Sequence, residues 1–419
     1  MAEIYSTSSK GIGGQIKRRY TDFVVEEVGR DGRVCKAERF VEKGTHLEEK
    51  IRVPERNPDF DQLQLDLEKI NKDTNFAVRT LARFLQCSKK RVGYAGLKDK
   101  RAVTCQRVSL FRPNVERLEA FGSQGIQLRN PKWSKERIDL GCLKGNRFEV
   151  VVRDIALEEE KLRKRVEVFF EEVGEKGIAN FFGEQRFGGI RQVTHIVGGE
   201  FLKGDFKKGV LLYLTHWVEE EQEEIRDARK RLAETMDFKE ATRLFPKKFR
   251  YERAIIHHLC KYPNDFVGAF GKLPKKLRYL FTHAYQSFLF NRVIEERLKA
   301  GIGLEAVEGD KVVDGNPTGP LFGFESKLAE GKPGEIEKRV LEEAGFELKD
   351  FRVRKMAEIS SKGARKSIVL KPENMKLVSV EEDEFFPGKK ALKISFELSK
   401  GNYATTVLRE LMKSGIRSC

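Results

Sequence analysis

The sequence predicts an α+β protein whose strand-bearing core is interrupted by a helix-rich insertion. Strand signals stand near both ends. Val92–Tyr94 and Val103–Phe111 read as extended, and in "ALKISFEL" Leu392, Ile394, Phe396 and Leu398 alternate as in a half-buried strand. Amphipathic helical periods flank these strands. Residues 218–262, opening "VEEEQEEIRDARKRLAET", are helix-rich and sharply charge-patterned.

Taken in order, "NKDTNFAVRTLARFLQC" (71–87) sets Val78, Leu81, Ala82 and Leu85 on one helical face, with Asp73 or Thr74 as cap. The two extended segments that follow bracket "AGLKDKRA", so Asp99 falls on a turn between them. Active-site residues are often held on loops anchored by rigid elements. A solvated hairpin tip in a basic protein would give the same pattern. Residues 158–177 read as a helix with Leu162, Val166, Phe169, Phe170 and Val173 inward, ended by Gly174 and Gly177.

"ANFFGEQRFGG" (179–189) packs three phenylalanines, three glycines and Arg186 together without helical or strand period. Aromatics beside Gly and Arg suit stacking on bases. A buried turn would use the same residues. A long helix over 276–299 carries Leu277, Leu280, Phe281, Ala284, Phe288 and Leu298 on its apolar side and stops at Gly301. Residues 303–324 read as short strands and turns, with an acidic helix after "KPGE". Beyond Leu398, Lys400 and Gly401 turn the chain into a helix bearing Val407, Leu408 and Leu411. An element this well formed at the C-terminus closes the core begun at the N-terminus. The expected organisation is therefore core pieces 1–191 and 361–419 around an insertion at 192–360.

With 39% hydrophobic residues over 419 positions the chain can bury two cores. Its 81 Lys and Arg against 65 Asp and Glu leave +16. That surplus favours a polyanionic partner, because neutralising phosphates releases condensed counterions. No apolar run approaches the roughly 20 residues of a membrane span, and "MAEIYSTSSKGIGG" lacks the apolar core of a secretory signal. A cytoplasmic protein without membrane contact is expected. The six cysteines (Cys35, Cys87, Cys105, Cys142, Cys260, Cys419) form no C-x-x-C pair, against a zinc site or a disulfide framework. His257 and His258 would diverge by about 100° on a helix, so no metal is expected. No G-x-x-x-x-G-K-[ST] is present, and "KGIGGQIK" follows no strand and lacks dinucleotide-fingerprint spacing. No nucleotide or redox cofactor is expected.

"GYAGLKDKRAVTCQ" resembles the signature of the TruD family of tRNA pseudouridine synthases, a G-x-K-D-x-x-A-x-T-x-Q stretch. "IKRRYTDFVVEE", "GCLKGNRF", "ANFFGEQRFG", "HAYQSFLFN", "EGD" and "GNYATTVLREL" look like further blocks of that family, in its order, in an archaeal-type member. The resemblance implies a mixed, largely antiparallel sheet with flanking helices, the pseudouridine-synthase core, plus an inserted α/β family-specific domain. It implies conversion of uridine to pseudouridine in tRNA, typically at position 13. Eukaryotic relatives perform the reaction on other RNAs, and a non-catalytic RNA-binding or chaperone protein is the rival reading.

The reaction breaks the N1–C1′ bond, turns the uracil and joins C5 to C1′. Electrons and atoms balance without a cofactor. A carboxylate can serve as nucleophile at C1′ or as base at C2′, and the resemblance assigns that carboxylate to Asp99. It assigns Lys17 as the charge partner, since a neighbouring cation favours the ionised form. Lys98, adjacent in sequence, is expected to point elsewhere, toward phosphate. A uridine in folded tRNA must be flipped out and gripped by face and edge. The resemblance sets Phe23, Asn180, Phe182 and Tyr403 around it, with Asn180 offering donor and acceptor to the uracil amide edge. Tyr403 stands where bacterial relatives have phenylalanine.

Overall fold

A computed structural model describes residues 4–42 and 50–414; Cys419 lies outside them. The chain divides into two compact units. One comprises 7–178 and 371–419, the other 1–6 and 179–370. The change-over thus falls 13 residues before the expected 192 and 10 residues after the expected 360.

The first unit is built on a nine-stranded mixed sheet. Across it the strands run Glu373–Glu382, Lys390–Ser399, Gly145–Ile155, Phe23–Val28, Val103–Phe111, Gln62–Ile70 and Ile126–Ser134. Gln15–Ile16 adds to Gly145–Ile155, and Val92–Tyr94 adds to Val103–Phe111. Among the described residues of this sheet only Phe23–Val28 beside Val103–Phe111 is parallel; the other pairs are antiparallel. The last long strand, Lys390–Ser399, joins Gly145–Ile155 with Phe396 opposite Phe148, so the C-terminal segment does close the N-terminal sheet. Its four alternating residues are all buried. Each contributes about 1.5–3 kcal/mol, and a one-residue slip would turn all four outward.

The helix Thr74–Phe84 packs Val78, Leu81 and Ala82 against Leu63, Leu65 and Val108 of the sheet. Asp73 is the cap, accepting the Phe76 amide at 2.8 Å. Glu159–Lys176 ends at Gly177, whose φ of 71° with ψ of −169° is a conformation open to glycine; Gly174 lies inside the helix.

The second unit is mainly helical, with a three-stranded antiparallel sheet (Val312–Val313, Asn316–Leu321, Ala364–Ser367). Lys275–Lys299 runs through it. Phe281, Ala284, Tyr285, Leu289, Phe290, Val293 and Ile294 are buried on more than one side of this helix. Leu280, expected inward, is partly exposed. The core around it holds Phe201, Phe270 and Phe281 in mutual ring contact at 4.0–5.7 Å. Among the described residues no helix is long and apolar enough to cross a membrane.

Candidate active site

Asp99 lies in the connection 95–102, between two strands that pair antiparallel with Tyr94 opposite Val108. Several polar groups around it are tied down. Gln106 donates its amide to the Gly96 carbonyl at 3.0 Å and accepts the Thr74 hydroxyl at 3.1 Å. The Thr74 oxygen in turn accepts the Lys98 amide at 2.9 Å. The Gly141 amide donates to the Ala95 carbonyl at 2.8 Å. The paired strands and Gln106 thus explain why the signature reaches as far as its final glutamine.

Lys98 is the correction here. Instead of facing solvent and phosphate, its ammonium is buried against the Glu27 carboxylate at 2.7 Å. Removing one member of such a pair costs roughly 3–5 kcal/mol, so this lysine holds the loop to the sheet. A second lysine, with no signal in the local sequence, does more. Lys69 is fully buried at the end of Gln62–Ile70 and donates to the carbonyls of Asp99 at 2.8 Å and Lys72 at 2.7 Å. Burial pushes its ammonium down to about 8, with the nearby Asp99 charge opposing that fall.

The Asp99 side chain itself remains 43% exposed, with its Oδ2 at 3.7 Å from the ammonium of Lys17. Lys17 is buried and sits 4.0 Å over the face of Phe23. Phe23 is 1% exposed and meets Phe148 edge-on at 6.1 Å. In this structure its ring supports the lysine. Lys17 also has φ of 61°. A non-glycine residue there costs of order 1–3 kcal/mol and persists where surroundings over-determine it. Those surroundings include the pairing of Ile16 with Val152 just before it. Five residues on, Asp22 takes a two-pronged contact from Arg153 at 2.7–3.0 Å. The "IKRRYTDF" block thus clamps the backbone on both sides of Lys17.

Tyr403 belongs to the same unit. It stands at the N-terminus of Ala404–Met412 and is 46% exposed.

Asn180 and Phe182 lie in the second unit. The Asn180 amide donates to the Ile368 carbonyl at 2.8 Å, and its Nδ2 donates to the Ser367 carbonyl at 3.1 Å. Phe182 meets Phe290 edge-on at 5.4 Å, with Arg186 and Lys366 at 5.5 and 5.2 Å from its ring centre. Its backbone is held by Asn291 of the long helix, which accepts the Phe182 amide and donates to the Phe182 carbonyl, both at 2.9 Å. That reciprocal pair accounts for the final Asn of "HAYQSFLFN". Arg186 donates to Ser287 on the same helix at 3.0 Å. Lys366, unpredicted by sequence, is pushed down to about 8 by burial. The "EGD" element is structural: Asp310 takes both Arg297 prongs at 2.8 Å.

The family model for tRNA pseudouridine synthase D (TruD) matches residues 1–316 and 314–411. The chain belongs to the TruD family. A Methanosarcina acetivorans protein named "Probable tRNA pseudouridine synthase D" is 37% identical over 98% of this chain and 95% of its own length. One of the same name from Methanopyrus kandleri is 40% identical over 83% of this chain and 84% of its own. The crystal structure of the Methanosarcina mazei protein designated TruD superposes with a TM-score of 0.80 at 37% identity, covering 98% of this chain and 96% of that one. The α+β architecture described above is thus the TruD fold.

Proposed function

We propose that this chain is a cytoplasmic enzyme that isomerises uridine to pseudouridine in tRNA, at position 13, with Asp99 as its reactive carboxylate. The observation that carries the assignment is the contrast within one loop. Lys98, Gln106 and the Asp99 carbonyl are all held from behind, while the Asp99 carboxylate projects into solvent beside a buried cation. Rigid support with one free reactive group is what preorganised catalysis requires. The carboxylate then attacks C1′ or takes the C2′ proton. On the first route the N1–C1′ electron pair leaves with the uracil, and C5 then displaces the carboxylate from C1′; on the second the uracil leaves as a C1′–C2′ double bond forms, and C5 bonds to C1′ as the C2′ proton returns. Both end with the C5 proton lost and N1 protonated. Lys17 keeps a positive charge beside the carboxylate, and Phe23 supports Lys17 from below. Asn180 and Phe182 serve the detached base, Asn180 at its edge and Phe182 at its face. The unit 179–370 supplies RNA affinity.

The direct test incubates the purified protein with an unmodified tRNA transcript and maps pseudouridine by position. Conversion at position 13 is expected. A transcript left unmodified, with the protein folded and the tRNA bound, would refute the reading in favour of an RNA chaperone.

Phe182 offers a second check. Phe182→Ala should lose stacking worth about 1–3 kcal/mol, seen mainly in kcat because the ring must hold the uracil while it is detached and turned. Phe182→Tyr keeps the ring face and should be much milder. Wild-type kcat in a stable Phe182→Ala protein would make this ring core packing against Phe290 and nothing more.

A further inference from the structure

The second unit contains a cavity of about 710 Å3 whose lining includes Lys203, Lys349, Arg352, Arg354 and Lys355. Its size falls within the roughly 300–1,000 Å3 typical of ligand sites. The unit's buried Arg229 and Arg297 are matched with carboxylates, Arg229 with Glu221 and Glu252 and Arg297 with Asp310, and the half-buried Arg365 pairs with Glu337. Around the cavity that matching stops. Lys349 pairs with Glu347 at 2.8 Å, but among the described residues Lys203, Arg352, Arg354 and Lys355 form no ion pair. The one carboxylate in the lining, Asp350, is turned to the backbone and accepts the Glu347 amide at 2.7 Å.

Gathering like charges without counter-charges is unfavourable for the folded chain by itself, and an anionic ligand would relieve it. Two of the cations rest on rings: Arg352 at 4.2 Å from the centre of Phe324, Lys203 at 4.9 Å from that of Phe346. Such stacking orients a guanidinium without consuming its donors, which leaves them for a forked contact with phosphate oxygens.

We propose that this cavity binds the sugar–phosphate backbone of tRNA, with Arg352, Arg354 and Lys355 as the phosphate-contacting side chains. The site deepens the reading above, on which it rests for the identity of the RNA. All three side chains are exposed, so replacing them with glutamine leaves the core untouched.

The test compares the full-length wild type with an Arg352→Gln, Arg354→Gln, Lys355→Gln variant, measuring tRNA transcript Kd over a range of potassium chloride concentrations. Each lost phosphate contact removes about 0.7–0.9 from the slope of log K against log salt. The slope should therefore become shallower by about 2–3, and low-salt affinity should fall about 10–100-fold. A control variant, Lys161→Gln, Lys164→Gln, Lys176→Gln, removes the same charge from the exposed flank of Glu159–Lys176 and should keep the wild-type slope. An unchanged slope in the cavity variant, or an equal change in the control, overturns the proposal. Pyrophosphate is the second arm. If it raises the wild-type Tm but not that of the cavity variant, while the tRNA slope stays intact, the cavity serves a free phosphate compound and the proposal fails. Pseudouridine formation is scored in parallel. Wild type that binds but never modifies tRNA would sink the functional reading and leave this one standing. Normal modification with an unchanged slope would do the reverse.

Discussion

Asp99→Asn should reduce turnover by at least about 10²–10⁴-fold, the range over which a positioned acid–base group acts, while leaving fold and tRNA affinity in place. Fold should survive because the Asp99–Lys17 contact is long, at 3.7 Å, and its carboxylate is 43% exposed. The loop is held by other groups, including the Asp99 carbonyl on Lys69, and asparagine retains that carbonyl. Affinity should hold or rise, since a negative charge is removed from a surface that meets phosphate. Single-turnover pseudouridine yield, thermal melting and Kd separate these effects. A folded Asp99→Asn protein still forming pseudouridine near the wild-type rate would remove Asp99 from the chemistry. Lys17→Ala should slow the reaction less, because it leaves the carboxylate itself intact.

Lys69→Met should lower kcat by about 10²-fold, the scale of an ångström-sized misplacement of a reacting group, with Kd for tRNA unchanged. Methionine fills the buried space but leaves the carbonyls of Asp99 and Lys72 without their donor. The loop can then drift, and Asp99 with it. A pH profile distinguishes positioning from simple destabilisation. The Lys69 ammonium loses its proton as pH rises through about 8, turning two charge-assisted hydrogen bonds into neutral ones of roughly half the strength. Wild-type kcat should therefore decline above that pH, and Lys69→Met should lack this alkaline limb. A variant with reduced melting temperature, wild-type kcat at low temperature and an unchanged profile would make Lys69 purely structural.

Periodicity located most elements, and for a definite reason. A buried face must repeat every 2 residues in a strand or about 3.6 in a helix, so Val103–Phe111, Thr74–Phe84 and the buried residues of Lys390–Ser399 are visible without neighbours. Lys275–Lys299 is legible as a helix to within one residue but its buried face is not, because contacts on several sides bury both Phe281 and Tyr285 and no single stripe exists. Residue type and family blocks singled out Asp99, Lys17 and Phe182 as candidates.

By itself, then, the sequence determined the fold class, the family and the loop that carries Asp99. The tertiary structure decided what each polar side chain of that loop meets. Lys98 and Asp99 are neighbours in sequence, yet one is sealed against Glu27 and the other faces solvent. Lys69 reaches Asp99 from thirty residues away, and Asn291 holds Phe182 across 109. Sheet register and helix packing bring these groups together, and a one-dimensional pattern contains neither. A buried donor must find an acceptor, but the acceptor it finds depends on which backbone the fold lays beside it.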